Sequence, residues 1–296
     1  MNLSKFLSHL KFEKRFSVHT ITAYRGDLEQ FFKYMDAEYQ IEEDADITHF
    51  FIRSWIVSLM DSGLSARSVN RKITSLKTYF KFLIREGLLK ANPLLKIQSP
   101  KTSKQLPAFI DENRMDFLFD QIEFPEGFVG ARDRVVLELF YVTGMRLSEL
   151  VNLELKDVSF SQMTVKVLGK RNKERIVPLS DEMINSIKKY LPYRTNYLSE
   201  HGTTGEYLFP GNKGLKIYPK FVYRLVKKYL GLVTTGEKKN PHVLRHTFAT
   251  HMLNNGAEIN AVKELLGHSS LAATQVYTHN TTEKLKNIYK QAHPKA

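Results

Sequence analysis

The segment LGHSSLAATQVYTH, residues 266–279, sets His268 and Tyr277 nine positions apart among small and hydroxylated side chains. A phenol there either packs at a helix end or turns its hydroxyl on an electrophile. In NPHVLRHTFATHM, residues 240–252, Asn240 is a good N-cap and Pro241 a good first-turn residue. His242 and Arg245 then stand three apart on the opening turns of a helix, neighbours on one face. A histidine and an arginine converging beside a helix N-terminus make a candidate anion site. TGMRLSEL, residues 143–150, puts Arg146 and Glu149 three apart just after a glycine, so a guanidinium can be held by its helix neighbour and aimed outward. LGKRNKER places Lys170 at the tip of a hairpin, with Lys173 its nearest rival. Taken singly, each has a plain reading: a packed tyrosine, a helical ion pair, a solvated loop lysine. His242 and His246 at i, i+4 have zinc-ligand spacing, but no HExxH glutamate lies between them and the chain has no cysteine to complete a site. No metal and no cofactor are expected.

The elements that must position these groups follow from pattern. At 296 residues two domains are the natural division, and 42% hydrophobic residues suffice for real cores. No run of 18 apolar residues exists, and the N-terminus is charged too early for a secretory signal, so a cytoplasmic protein without membrane attachment is expected. Zero cysteines exclude disulfide frameworks and thiolate chemistry. Apolar residues recur at three and four in ITAYRGDLEQFFKYM, THFFIRSWIVSLM and SVNRKITSLKTYFKFLI, giving a helical domain over residues 1–97. A polar, proline-containing stretch, 98–109, reads as a linker, a hinge that would let two domains grip opposite faces of a duplex. Residues 110–296 alternate helical segments with one hairpin, MTVKVLG and RIVPLS joined by KRNKE. The expected fold is therefore mainly α, with a small antiparallel sheet in the second domain.

Charge points to the partner. Forty-four Lys and Arg against 31 Asp and Glu leave +13, which suits a polyanion. Residues 64–101 hold nine basic side chains and one acid. Arg67, Arg71, Lys72, Lys77 and Lys81 are the expected phosphate contacts of an amphipathic helix whose apolar side, Ile73, Leu76, Phe80 and Leu83, packs inward.

The residues TGMRLSEL, GKRNKER, HVLRHTFATH, LGHSS and VYTH, in that order, resemble the tyrosine site-specific recombinases, in particular the compact Xer type. The likeness extends to SVHTITAYRGDLEQFFKYM, which resembles that family's core-binding domain, and so covers nearly the whole chain. It implies a helical core-binding domain followed by a mostly helical catalytic domain. Arg146 and Arg245 would be the phosphate clamp, Lys170, His242 and His268 catalytic partners, Tyr277 the nucleophile, and Glu149 a brace for the pocket. The implied partners are a double-stranded recombination site, three further subunits of the same or a paralogous kind, and a DNA translocase such as FtsK. By the same likeness, the last helix, in TTEKLKNIYKQAH, docks on a neighbouring subunit.

This chemistry suits these groups. Two arginine forks neutralise a phosphodiester, a phenol attacks, a histidine assists its deprotonation, and lysine protonates the departing 5′ oxygen. Strand exchange through a Holliday junction would follow, with chromosome-dimer resolution as the implied role. An integrase or transposase of a mobile element would use the same site, although the chain begins almost at the core-binding helices and leaves no room for an arm-binding domain. A type IB topoisomerase shares the chemistry without synapsis. A non-enzymatic helical DNA-binding protein would explain charge but not the six side chains together.

Overall fold

The computed structural model describes residues 1–102, 108–169, 173–267 and 279–295, without the side chains of 279–284. It divides into two compact units, Met1–Gln105 and Leu106–Ala296.

In the first unit α1 (Leu3–Ser8) runs into a π turn, His9–Glu13, followed by α2 (Val18–Tyr39), α3 (His49–Asp61) and α4 (Ala66–Arg85). The start of α4 is set by Ser65, whose hydroxyl accepts from the Ser68 N–H at 3.3 Å. Along α4, Val69, Ile73, Leu76, Phe80 and Leu83 recur at helical spacing and are all buried with Phe31 and Trp55. Each such side chain contributes about 1.5–3 kcal/mol on leaving water.

The basic face is smaller than its sequence suggests. Arg67, Arg71, Lys77 and Lys81 are exposed, whereas Lys72 is buried, its ammonium 3.0 Å from Asp27 and 2.6 Å from Gln30. The expectation that Lys72 faces phosphates is corrected: it faces α2. Geometry gives the reason, since on an ideal helix Arg71, Lys77 and Lys81 lie within roughly 80° of Arg67 and Lys72 roughly 140° away. Asp27 also binds Arg71 and accepts from the Ser75 hydroxyl at 2.8 Å, so this buried carboxylate pins α2 to α4.

The second unit begins with α5 (Glu112–Asp120), α6 (Phe128–Thr143) and the single turn α7 (Leu147–Leu150). A three-stranded antiparallel sheet follows, β1 (Val158–Ser159), β2 (Thr164–Leu168) and β3 (Glu174–Pro178), in that spatial order. Then come α8 (Asp181–Glu200), α9 (Pro219–Val233), α10 (Pro241–Asn254), α11 (Ile259–Leu266) and α12 (His279–Ala292). The mainly helical class and the β2–β3 hairpin are as expected, with Thr164 opposite Pro178 and Leu168 opposite Glu174. Strand β1 adds a third member, too short to leave a periodic trace. The helix expected to resume after Gly144 is only one turn. Beyond it the backbone of Leu153 and Leu155 pairs with that of Leu208 and Glu206, which holds the chain extended.

Helix α6 is the hub, packing against α8 and α10, with Val136, Leu139 and Phe140 buried in the core. It ends at Gly144, whose φ of +54° only glycine adopts cheaply, and a Cβ there would lie 2.5 Å from Phe248 and 2.8 Å from Leu266. Gly144 thus brings α6, α10 and α11 to one point.

In this chain α12 packs on its own unit, against α10, α11 and β3, burying Leu285, Tyr289, Ala292 and His293. Its apolar side finds cover at home: Asn255 donates to the Ala292 carbonyl at 3.1 Å and Lys295 pairs with Asp116 and Asp120.

Candidate active site

Three elements distant in sequence deliver three guanidiniums to the C-terminal end of α11. Arg146 stands at the N-cap of α7, its backbone N–H donating to Glu149 Oε2 at 2.7 Å and its Nη1 to Glu149 Oε1 at 2.8 Å. Its Nη2 donates to the Gly267 carbonyl at 3.0 Å. Arg245 lies one turn into α10, a helix started by Asn240, whose side-chain oxygen accepts from the N–H groups of His242 and Val243 at 3.0 and 3.3 Å. From there Arg245 donates to the Gly144 carbonyl at 2.7 Å and to the Leu266 carbonyl at 2.9 Å. Arg175, on β3, donates through Nε to the Leu265 carbonyl at 2.8 Å and through both terminal nitrogens to Glu149 at 3.1 and 2.8 Å.

Consecutive carbonyls of residues 265, 266 and 267 therefore each accept from a different arginine. The last turn of a helix leaves its carbonyls without intrahelical donors and carries the negative end of the macrodipole, so cations gather there naturally. Gly267 makes this possible, with φ +63° and a position at which a Cβ would come 3.1 Å from the Arg175 side chain.

The electrostatics suit an anion. Burial alone would raise the Glu149 carboxyl, but the hydrogen bonds and charge of Arg175, then the hydrogen bonds of Arg146, hold it below the ordinary carboxylate range. Glu149 is ionised at neutral pH. Burial, then the charges of Arg146 and Arg175, bring Arg245 down to about 10, with Glu149 opposing. Arg245 therefore stays charged at neutral pH while held in a strongly positive field. Among the described residues, three guanidiniums against one carboxylate leave two positive charges unbalanced. Such a site binds a phosphate and stabilises charge building on it.

Of the residues singled out in the sequence, Arg146, Glu149 and Arg245 meet here. His242 lies on the first turn of α10 with an exposed side chain, three residues before Arg245. Lys170, His268 and Tyr277 lie outside the described residues. Of their described neighbours, the Gly169 N–H donates to the Lys173 carbonyl at 2.8 Å, and Gly267 directly precedes His268 in the chain. Sequence reasoning missed Arg175. The signal was the alternation of β3, which puts Arg175 and Val177 on the same buried side, where a charged residue needs a partner.

Residues 108–284 match the phage integrase family, and residues 3–87 match the phage integrase N-terminal SAM-like domain. The chain is 39% identical to the tyrosine recombinase XerC of Chlorobaculum parvum, covering 99% of this chain and 94% of that protein. It is 38% identical to the tyrosine recombinase XerC of Oceanobacillus iheyensis, covering 99% and 96%. Among solved structures, the XerH site-specific recombinase bound to a palindromic difH substrate, in a post-cleavage complex, superposes with a TM-score of 0.73 at 25% identity, covering 96% and 83%. A lambda integrase tetramer bound to a Holliday junction shares the fold, with a TM-score of 0.67 at 19% identity, covering 97% and 76%.

Proposed function

The chain belongs to the phage integrase family and is a Xer-type tyrosine recombinase, and from that premise we propose how its side chains cut and rejoin DNA. Arg146 and Arg245 grip the nonbridging oxygens of the scissile phosphate. The observation that carries this reading is their convergence: Arg146 and Arg245 donate to the adjacent carbonyls of Gly267 and Leu266. Each well-placed donor of this kind is worth about 3–4 kcal/mol in the transition state.

The Tyr277 phenol attacks the phosphorus, and the bond to the 5′ oxygen breaks as the new O–P bond forms. A phenol of pKa about 10 is only about one part in a thousand ionised at pH 7, a deficit near 4 kcal/mol, so its proton must leave during attack. His268 or His242 takes that proton, and Lys170 supplies one to the departing 5′ oxygen. The product is a 3′-phosphotyrosine and a free 5′ hydroxyl. Because the phosphoryl bond is conserved rather than hydrolysed, a 5′ hydroxyl from another strand can reverse the step without ATP.

The working assembly is four subunits on two double-stranded sites, passing through a Holliday junction, in the cytoplasm. Helix α12 leaves its own seat for that of a neighbour there. The biological role is chromosome-dimer resolution, licensed by a DNA translocase of the FtsK kind; the XerC names of the relatives support it.

A nicked suicide duplex tests the chemistry. In EDTA the wild type is expected to accumulate a covalent protein–DNA adduct that Tyr277→Phe abolishes while duplex binding survives. Adduct formation by the Phe variant, or loss of all adduct on adding EDTA, would defeat this reading.

A further inference from the structure

The three guanidiniums at the end of α11 differ in access. The Arg146 side chain is 28% exposed and open to a ligand, whereas that of Arg175 is 4% exposed and enclosed behind Glu149, itself 2% exposed. A group so covered reaches no phosphate, yet all three of its nitrogens donate to the machinery around Arg146.

We propose that Arg175 is a positioning residue for strand cleavage: from β3 it fixes Glu149 and the end of α11 so that Arg146 meets the phosphate in one pose with its charge available. The inference rests on reading Arg146 and Arg245 as the phosphate clamp.

A carboxylate offers about four acceptor sites, and those of Glu149 are all engaged. Oε1 accepts from Arg146 Nη1 at 2.8 Å and Arg175 Nη1 at 3.1 Å; Oε2 accepts from the Arg146 backbone at 2.7 Å and Arg175 Nη2 at 2.8 Å. Without Arg175 two of these sites fall vacant in a buried place. Arg146 is then left as sole counterion to Glu149, which ties its charge into an internal pair. The balance changes too. With Arg175 the cluster carries two unbalanced positive charges, matching a phosphodiester that gains a second negative charge as the phenolate adds; without it, one remains.

Position follows the same logic. The bond from Arg175 to the Leu265 carbonyl is the first of three successive anchors, Arg245 and Arg146 taking Leu266 and Gly267. Arg175 thereby sets the register in which the other two reach the α11 terminus, directly before His268. The fit to Gly267, where a Cβ would crowd Arg175 Cδ and Nη1 at 3.1 Å, shows that this side chain is seated rather than merely nearby.

A double-mutant cycle in single-turnover adduct formation tests this, using wild type, Arg175→Gln, Arg146→Lys and the pair on the nicked duplex. Arg175→Gln is expected to slow cleavage roughly tenfold to a hundredfold, with affinity for intact duplex within about threefold of wild type. In the Arg146→Lys background the same change should cost less than about threefold, because the guanidinium it positions is gone. Arg175→Lys, which keeps the charge without the fork, should fall between wild type and Gln, and it completes the same cycle if the Gln variant does not fold. Equal losses in both backgrounds, as a purely structural role would give, or an undiminished rate in the Arg175 variants, overturns the proposal. An Arg146→Lys variant at the wild-type rate would instead remove the clamp on which it stands.

Discussion

Arg245 occupies a place where no other cation would serve. Its environment costs it charge: burial first, then Arg146 and Arg175, bring it to about 10. Starting from an arginine, that still leaves a full positive charge at neutral pH. Lysine starts about two units lower, so the same surroundings would carry it toward neutrality, and it also lacks the fork that donates to two oxygens in parallel. Arg245→Lys is therefore expected to lower single-turnover cleavage by about a hundredfold or more. Its alkaline limb should also move toward neutral pH, whereas the wild type holds its rate to about pH 9, since a group of pKa near 10 stays protonated until then. Rates measured from pH 6 to 9 check this, and superimposable profiles would show that the charge of residue 245 is not at issue. At this scale the sequence was a good guide where polar groups sit three apart across a helix start, as Arg146 does from Glu149. It was a poor one for Arg175, whose role arises from a strand meeting the far end of a helix, a contact that no local spacing encodes.

At the level of elements, signals confined to a few residues were legible. Ser65 starts α4, Asn240 and Pro241 start α10, and β-branched runs mark the β2–β3 hairpin. What tertiary packing decides was not: the single turn of α7 and the two-residue β1. The seat of α12 has a testable chemistry. His293, at the end of α12, stacks on Tyr289 with ring centroids 5.0 Å apart and lies 5.0 Å from Tyr141 and 5.5 Å from Phe248. Burial lowers its pKa to about 3, and burial likewise lowers that of His251, whose Nδ1 is 2.9 Å from the Tyr141 hydroxyl. Both histidines are thus neutral in the fold and free to protonate once unfolded. Between about pH 6.5 and 3 the unfolded chain binds the extra proton of His293, so stability rises with pH and falls on acidification, by up to about 1.4 kcal/mol per pH unit for each such group. Denaturant unfolding between pH 7 and 5 should show this decline. His293→Phe, which suits the aromatic surroundings, should flatten it by the share of one proton. Parallel curves for the two proteins would mean that His293 is not buried neutral.

The whole molecule carries +13, and how that charge is spent decides its affinity. Composition pointed to a polyanionic partner; it did not sort the basic residues, because a buried lysine and a solvent-facing one look alike in a count. On α4 the fold separates them. Arg67, Lys77 and Lys81 face outward, Arg71 faces outward while paired to Asp27, and Lys72 is consumed holding α4 to α2. Each cation that neutralises a phosphate releases counterions and steepens the fall of log affinity with log salt by about 0.9. A cation committed to a buried carboxylate releases none. Replacing Lys77 or Lys81 by Gln should therefore weaken binding to any duplex and reduce the salt slope by about 1 each. Replacing Lys72 by Gln should leave the slope unchanged and lower thermal stability instead, since it strips a partner from a buried ion pair, a loss of about 3–5 kcal/mol in comparable cases. Affinity titrations from 50 to 300 mM salt, run beside thermal melts of the same three variants, separate the two effects. A Lys72 variant that flattens the slope as the other two do would mean that α4 turns a different face to DNA.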